Sequence, residues 1–155
     1  MKSFQRSQVS EYHLAQLNIA KLKYGFDDPE LADFIARLDD VNALADKSPG
    51  FVWRLKTEEG DATAIDFFGS DYLVNMSVWQ DVESLREYAF RSAHKEVLAR
   101  RHEWFDRMED AYAVLWWVPA GTIPTIEEAS ERLESLRQDG PNPRAFTFKQ
   151  IFEPG

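Results

Sequence analysis

Apolar residues recur along this chain with two alternating spacings, and the order of those spacings restricts the fold. A period near 3.6, typical of amphipathic helices, runs through residues 31–45 and 81–108. A period of two, typical of half-buried strands, runs through four segments: residues 12–20, 51–56, 73–79 and 112–118. The order is therefore strand, helix, strand, strand, helix, strand. It predicts an α+β protein with the ferredoxin-like, split βαβ fold.

A third helix is predicted after this unit, as an extension of a single domain. Residues 125–128 form a capping box that would begin the helix, and Gly140 followed by Pro141 would end it. Residues 146–152 are predicted as a last edge strand, and residues 65–68 as a short irregular one. The length of 155 residues suits one domain over residues 1–155. Its core is expected over about residues 11–119 and its extension over 120–155.

Charge and residue usage exclude several classes of function. The net charge of −9 disfavours nucleic acid and anionic membrane surfaces as partners. The absence of cysteine excludes disulfides, thiolate metal sites and cysteine nucleophiles. The beginning of the chain lacks the apolar run of a signal peptide, and no stretch approaches about 18 apolar residues, so we expect no membrane segment and a cytoplasmic location. Dinucleotide, P-loop, serine-hydrolase, zinc-protease and calcium motifs are also missing, and no cofactor is expected from them.

The two faces of the predicted sheet differ in polarity. The helices of a split βαβ unit cover one face, so the other face needs a different cover, and a second subunit is the usual one. We expect Val74, Met76 and Val78 to face the helices. The opposite, open face is predicted to carry four amide or hydroxyl side chains: Gln16, Asn18, Asn75 and Ser77. Such groups among apolar ones are typical of a small-molecule pocket, where they bind a carbonyl or an oxyanion; alternatively, they pair across the strands.

Four further residues are candidates for a site. His94, near a predicted break in the second helix, has the chemistry of a general base or a haem ligand, and an ordinary surface histidine is the alternative. Ion pairs at i, i+4 explain the neighbouring arginines and leave Arg101 unpaired, so Arg101 is predicted to attract an anionic ligand. Trp53 and Trp79 either pack on a ligand or fill the core or an interface.

Six segments of the chain carry a family resemblance: LAQLNIAKLKYGF, NALADKSPGFVWRL, NMSVWQDVESLREYAFRSAH, RRHEWF, YAVLWWVPAGTIPTIEEASERLESL and FTFKQIF. Together they resemble an uncharacterised family of the dimeric α/β-barrel superfamily, which also contains the antibiotic-biosynthesis-monooxygenase-like proteins. The resemblance covers nearly the whole chain. It implies a homodimer whose two sheets face each other, with a cavity between sheet and helices in each protomer. The superfamily's common activities are oxidation of aromatic substrates without metal or flavin, haem binding or degradation, and muconolactone-type isomerisation.

The resemblance implies roles for several of these residues. The haem-degrading branch is similar in having an asparagine on its first strand and a histidine on its second long helix, as Asn18 and His94 are placed here. That branch has a tryptophan ten residues before the histidine, where this chain has Ser84. The leading hypothesis is a homodimer that binds a small apolar or aromatic molecule and, if it is an enzyme, acts as a monooxygenase or isomerase of a small aromatic or enolisable substrate. In it His94 is the base, Asn18 and Asn75 orient a carbonyl, and Trp79 packs on the ligand. A haem or porphyrin binder and a non-catalytic dimeric interaction protein are the alternatives.

Overall fold

The predicted order of strands and helices is present in the structure. The computed structural model describes residues 11–24, 28–55, 72–91, 100–106 and 111–154. The strands in these ranges are β1 (Tyr12–Lys21), β2 (Phe51–Arg54), β3 (Tyr72–Trp79) and β4 (Ala113–Pro119). The α-helices are α1 (Ala32–Lys47), α2 (Val82–Arg91) and α3 (Ile126–Asp139), with 3₁₀ turns over Pro29–Leu31 and Arg101–Glu103. Residues 100–106 are not α-helical, so the helix predicted through residue 108 is wrong there, while the predicted irregular strand at 65–68 lies outside the described residues.

The described strands form an antiparallel sheet with the order β2-β3-β1-β4. β1 is central and pairs with β3 on one side and with β4 on the other. In the register of β1 and β3, Gln16 is opposite Ser77 and Asn18 is opposite Asn75. This strand order, with helical connections after the first and third strands, is that of the ferredoxin-like fold. The predicted fold class is therefore confirmed.

Side-chain N-caps begin two of the helical segments, and the second of them lies in the predicted capping box. The Asp28 carboxylate accepts a hydrogen bond from the backbone N–H of Glu30 (2.9 Å), before the turn that leads into α1. The Thr125 hydroxyl accepts one from the backbone N–H of Glu128 (3.0 Å) at the start of α3. α3 ends at Gly140, whose φ of 74° is easily adopted by glycine. These local signals fix the two ends of α3, and the apolar residues between them pack on the sheet.

One face of the sheet packs against α3. Its apolar side chains form one buried cluster with residues of α3 that are each at most 5% exposed: Ala129, Leu133 and Leu136. Val74, Met76 and Val78 belong to this cluster, so the prediction that they face the first two helices is wrong. A period of two identifies the residues that share a face, but it does not identify the helices that cover that face. The continuously apolar face is covered by the apolar stripe of α3.

The opposite face of the sheet packs against α1, α2 and the C-terminal tail, residues 145–154. One residue from each of these three elements is buried in a cluster with residues of this face: Ala45, Leu85 and Phe146 with Leu14, Trp79 and Leu115. The polar side chains predicted to lie on an open face are on this covered face, so that prediction is also wrong. Since α3 packs on the other face, the place expected for a second subunit is filled within the chain. The homodimer itself is not tested by a single chain and stays a prediction.

The C-terminal tail passes around the β4 edge of the sheet. Ala145 packs in the cluster on the α3 side, whereas Phe146 packs in the cluster of the opposite face. Phe146 exchanges two backbone hydrogen bonds with Leu115 of β4, of 2.8 and 2.9 Å. The indole N–H of Trp117 donates to the carbonyl of Phe152 (2.7 Å). The edge strand predicted over residues 146–152 is thus reduced to one bridge on β4.

Candidate functional site

Four polar side chains lie next to one another on the face of the sheet that α1 and α2 cover. They project from the central strand β1 and its neighbour β3, and we name them the polar row: Gln16, Asn18, Asn75 and Ser77. The alternation of side chains along a strand puts residues 16 and 18 on one face, and the antiparallel register brings residues 77 and 75 opposite them. The four side chains are therefore close enough to form hydrogen bonds across the two strands.

Gln16 is the centre of the polar row. Its Nε2 group donates to Asn75 Oδ1 (2.6 Å) and to Ser77 Oγ (2.8 Å). Its Oε1 atom accepts from Asn18 Nδ2 (3.0 Å). Ser77 Oγ accepts a second hydrogen bond from Trp79 Nε1 (2.8 Å). The four groups and the indole N–H form one connected network, so the orientation of each amide depends on that of its neighbour.

Burial decreases along the polar row. Gln16 and Ser77 are each 7% exposed, Asn18 is half-buried and Asn75 is exposed. In the part of the chain that the structure describes, Asn75 Nδ2 and Asn18 Oδ1 have no hydrogen-bond partner. These two atoms lie on directly opposed residues, one with two N–H donors and the other with acceptor lone pairs. The exposed end of the row can therefore accept a hydrogen bond and donate one to the same ligand.

An aromatic cluster lies at the buried end of the polar row. The ring of Trp79, 1% exposed, stacks on Tyr88 with 5.1 Å between centroids and meets Phe51 edge-on at 5.4 Å. The Tyr88 hydroxyl donates to the backbone carbonyl of Val41 in α1 (3.1 Å). Burial raises the pKa of the Tyr88 phenol well above its usual range, so it stays a neutral donor. Because its ring is already covered by protein, Trp79 contributes its indole N–H to the row and does not offer a ring surface to a ligand.

A second apolar cluster lies beyond the exposed end of the polar row. Leu73 lies two residues before Asn75 in β3 and on the same face of the sheet. It packs against a buried group that includes Phe34 of α1 and Trp104. The centroids of the Phe34 and Trp104 rings are 5.3 Å apart. Asn18 Oδ1 and Asn75 Nδ2, which have no hydrogen-bond partner among the described residues, thus lie between two aromatic clusters along the strands.

An ion-pair cluster fastens the second aromatic cluster to α1. The Arg100 guanidinium lies 4.7 Å from the centroid of the Trp104 ring. It contacts the Asp33 carboxylate at 2.7 Å and the Glu103 carboxylate at 2.9 Å. Hydrogen bonds from Arg100 hold the pKa of both carboxyl groups below their usual range. Arg100 therefore links the start of α1 to the turn that carries Trp104.

A comparison of the sequence with protein-family models places the chain in a family. The model described as "Domain of unknown function (DUF3291)" matches residues 13–155. The chain belongs to this family. The predicted resemblance to an uncharacterised family is therefore confirmed. No curated protein sequence matches the chain.

Three solved structures illustrate what this family member is similar to. A protein of unknown function from Nitrosomonas europaea is 14% identical with a TM-score of 0.47, over 74% of this chain and 97% of its own. SnoaB, a cofactor-independent oxygenase from Streptomyces nogalater, is 16% identical with a TM-score of 0.45, over 73% and 98%. A candidate antibiotic biosynthesis monooxygenase from Chloroflexus aurantiacus J-10-fl is 13% identical with a TM-score of 0.47, over 74% and 98%. These similarities are weak, so the fold assignment rests on the strand order of the sheet.

Two of the residues predicted for a site in this family member lie away from the polar row. The register of β2 shifts between Phe51 and Trp53, so that Phe51 aligns with Trp79 whereas Trp53 aligns with Val78. Trp53 therefore packs in the cluster on the α3 side. The Arg101 guanidinium lies 5.2 Å from the centroid of the Tyr112 ring, and Tyr112 packs against that same cluster. The structure thus places neither the Trp53 ring nor the Arg101 charge at the row.

The predicted roles of His94 stay predictions, because this residue lies outside the described part of the chain. This applies both to the general base and to the haem ligand. Among the described residues, no group of three or more His, Cys, Asp or Glu side chains could hold a metal ion. The same residues contain no helix with the length and apolar character that crossing a membrane requires.

Sequence reasoning did not single out the aromatic residues that flank the polar row. Tyr88 and Phe34 are members of the apolar stripes of their helices, and Phe51 is a member of a strand pattern. Their proximity to the row depends on how α1 and β2 pack on the sheet, and no local signal reports that packing. The hydrogen-bonding role of Trp79 was missed for a simpler reason, since we considered its ring and not its N–H group.

Proposed function

We propose that this protein binds a small, mostly apolar molecule between the sheet and the helices α1 and α2, with the molecule's polar atoms on the polar row. The observation that supports this is the pair of atoms Asn18 Oδ1 and Asn75 Nδ2 at the exposed end of the row, which have no hydrogen-bond partner among the described residues. A few convergent polar groups between aromatic side chains are typical of small-molecule sites.

We also propose that the bound molecule is an enolisable aromatic compound and that the reaction is its oxygenation by O₂ without metal or flavin. A base removes a proton from a carbon that is conjugated with a carbonyl through the aromatic rings, and the electrons of the resulting enolate reduce O₂, which bonds to that carbon. Loss of water then leaves a second carbonyl, so one anthrone and one O₂ give one anthraquinone and one water. The NH₂ group that the row leaves for a ligand would stabilise the enolate oxygen, and His94 is the proposed base.

Native mass spectrometry of the protein purified from its own host tests the binding proposal. We expect the mass of the assembly to include a retained small molecule, whose mass identifies its class. The same spectrum reports whether two copies of the chain associate. Bare chains under conditions that preserve other non-covalent complexes would count against the proposal and favour the non-catalytic interaction protein.

An oxygen electrode with anthrone as the probe tests the proposed reaction. We expect one O₂ consumed for each anthraquinone formed, above the rate without protein, and a loss of turnover of at least about 100-fold in His94→Ala. His102→Ala is the matched control, because His102 is an exposed histidine in the turn Arg101–Glu103 and should leave turnover unchanged. Full turnover in a folded His94→Ala variant would exclude this base. Proton exchange at the anthrone carbon without O₂ consumption would indicate an isomerase instead.

A further inference from the structure

The hydrogen-bonding pattern of the polar row points to a particular class of ligand. We propose that the row recognises a ring with one hydrogen-bond acceptor and one hydrogen-bond donor on oxygen atoms in meta positions, as in a hydroxy-ketone or its tautomer, and that it can exchange its own donor and acceptor to follow that tautomer. This inference deepens the proposed function and rests on it. It follows from the donors and acceptors that the four side chains have available.

The bonds of Gln16 determine how both asparagines are oriented. The two hydrogens of Gln16 Nε2 are used by Asn75 Oδ1 and Ser77 Oγ, so the NH₂ group of Asn75 is left for a ligand. Gln16 Oε1 accepts from Asn18 Nδ2, so Asn18 Oδ1 is left for a ligand. The exposed end of the row therefore offers one donor group and one acceptor, and not two of either kind.

The row still offers one donor and one acceptor to a ligand when the direction of its hydrogen bonds is reversed. The two ends of an amide have nearly the same size, so Gln16 can turn its Oε1 toward Asn75 and Ser77 and its Nε2 toward Asn18. Each asparagine must then turn its own amide to keep its bond, which leaves Asn75 Oδ1 and Asn18 Nδ2 for the ligand. Ser77 fits both arrangements, because its hydroxyl can accept from Gln16 or donate to it. In both arrangements the two asparagines present opposite hydrogen-bonding groups.

The spacing and chemistry of the pair select the ligand. Asn18 and Asn75 are direct partners in the register of β1 and β3, and Cβ atoms of such pairs are about 4.5–5.5 Å apart. Two oxygens in meta positions on one ring have a similar separation. A ligand with two acceptors would place one of them against the amide oxygen of the row. No hydrogen bond forms there, so binding is weaker. A hydroxy-ketone places its acceptor against the donor of the pair and its donor against the acceptor. When the ligand changes to its other tautomer, the reversed row matches that tautomer.

Three neutral benzene derivatives with two ring oxygens in meta positions test this inference: 3-methoxyphenol, with a donor and an acceptor; 1,3-dimethoxybenzene, with two acceptors; and resorcinol, whose two hydroxyls can each donate. The readout is the NMR shift of the Trp79 indole N–H, which bonds to the row through Ser77. We expect the wild type to bind 3-methoxyphenol about tenfold more tightly than 1,3-dimethoxybenzene, the size of effect expected from one unpaired polar group.

The substitution Gln16→Glu should change this preference in a defined way. A carboxylate at position 16 only accepts, so both asparagines turn their NH₂ groups toward it and present two acceptors. Resorcinol should then gain about tenfold over 3-methoxyphenol relative to the wild type. Gln138→Glu adds the same charge on the exposed side of α3 and should change neither preference. Gln16→Met, which uncouples the asparagines without adding charge, should reduce the wild-type preference to less than about threefold.

Different results would overturn different proposals. Equal binding of all three probes to the wild type, or an unchanged preference in folded Gln16→Glu and Gln16→Met variants, would overturn the donor and acceptor pair and leave the proposed binding site standing. Binding of none of the probes to the wild type would overturn both. The predicted shift in preference between the wild type and the two Gln16 variants supports the inference.

Discussion

Replacing Ser77 by alanine should destabilise the protein through the residue that loses its acceptor, Trp79. Ser77 Oγ accepts from Trp79 Nε1 and from Gln16 Nε2, each at 2.8 Å. Gln16 keeps its bond to Asn75, but Trp79 is 1% exposed and has no other acceptor for its N–H among the described residues. A buried N–H without a partner costs about 1–3 kcal/mol. We therefore expect Ser77→Ala to lower the free energy of unfolding by about 1–3 kcal/mol.

A double-mutant cycle with Trp79→Phe tests this origin of the cost. Phenylalanine keeps a ring between Tyr88 and Phe51 but has no N–H to leave unpaired. The double variant should therefore lose about 1–2 kcal/mol less than the sum of the two single variants. Urea unfolding followed by circular dichroism measures all four free energies of unfolding. Additivity within about 0.5 kcal/mol would refute the reasoning, because it would show that the two side chains do not depend on each other.

Two further predictions concern the elements that cover the sheet. Leu133→Ala should lower the free energy of unfolding by about 2–5 kcal/mol, because Leu133 is buried between α3 and the sheet. Gln138→Ala, on the exposed side of the same helix, should change it by less than about 0.5 kcal/mol, and equal losses by urea unfolding would contradict the packing of α3. Arg100→Ala should raise the pKa of Asp33, because the hydrogen bond from Arg100 holds it low. A carboxyl group whose pKa is lowered by folding stabilises the folded state above its unfolded-state pKa, and this effect is lost as pH falls through its folded-state pKa. The difference in the free energy of unfolding between the wild type and Arg100→Ala should therefore become smaller at acidic pH. NMR titration of the Asp33 carboxyl measures the shift, and an unchanged pKa would contradict the pairing.

The members of the polar row could be predicted from the sequence because a local rule determines them. Successive side chains of a strand alternate between faces, so residues 16 and 18 must share a face, as must residues 75 and 77. The capping box at Thr125 is local in the same sense, because its hydrogen bond closes within three residues. The order of strands and helices follows from periods read over short windows, and it was sufficient for the fold class.

The sequence did not predict which helices pack on each face of the sheet, because this packing depends on contacts between distant parts of the chain. α3 begins more than 45 residues after Trp79 and packs on the face that we expected under the first two helices. The displacement of Trp53 depends on a register shift that interrupts the alternation of β2 after Phe51. Arg101 makes its ring contact with Tyr112, which the ion-pair pattern of the predicted helix does not include. Each of these features is decided by tertiary packing and leaves no periodic trace in the sequence.

Stability and recognition are separable in this site because of the hydroxyl group of Ser77. Toward Trp79 it always accepts, so the indole N–H keeps its partner and the stacked rings that hold α2 to the sheet are undisturbed. Toward Gln16 it accepts in one arrangement of the row and donates in the other, so a reversal that begins at the two asparagines ends at Ser77. It follows that Gln16→Met should change ligand preference with little loss of stability, whereas Ser77→Ala should mainly reduce stability. A protein built this way can adjust its hydrogen bonds to a ligand at the exposed end of the row without loosening the aromatic cluster at the buried end.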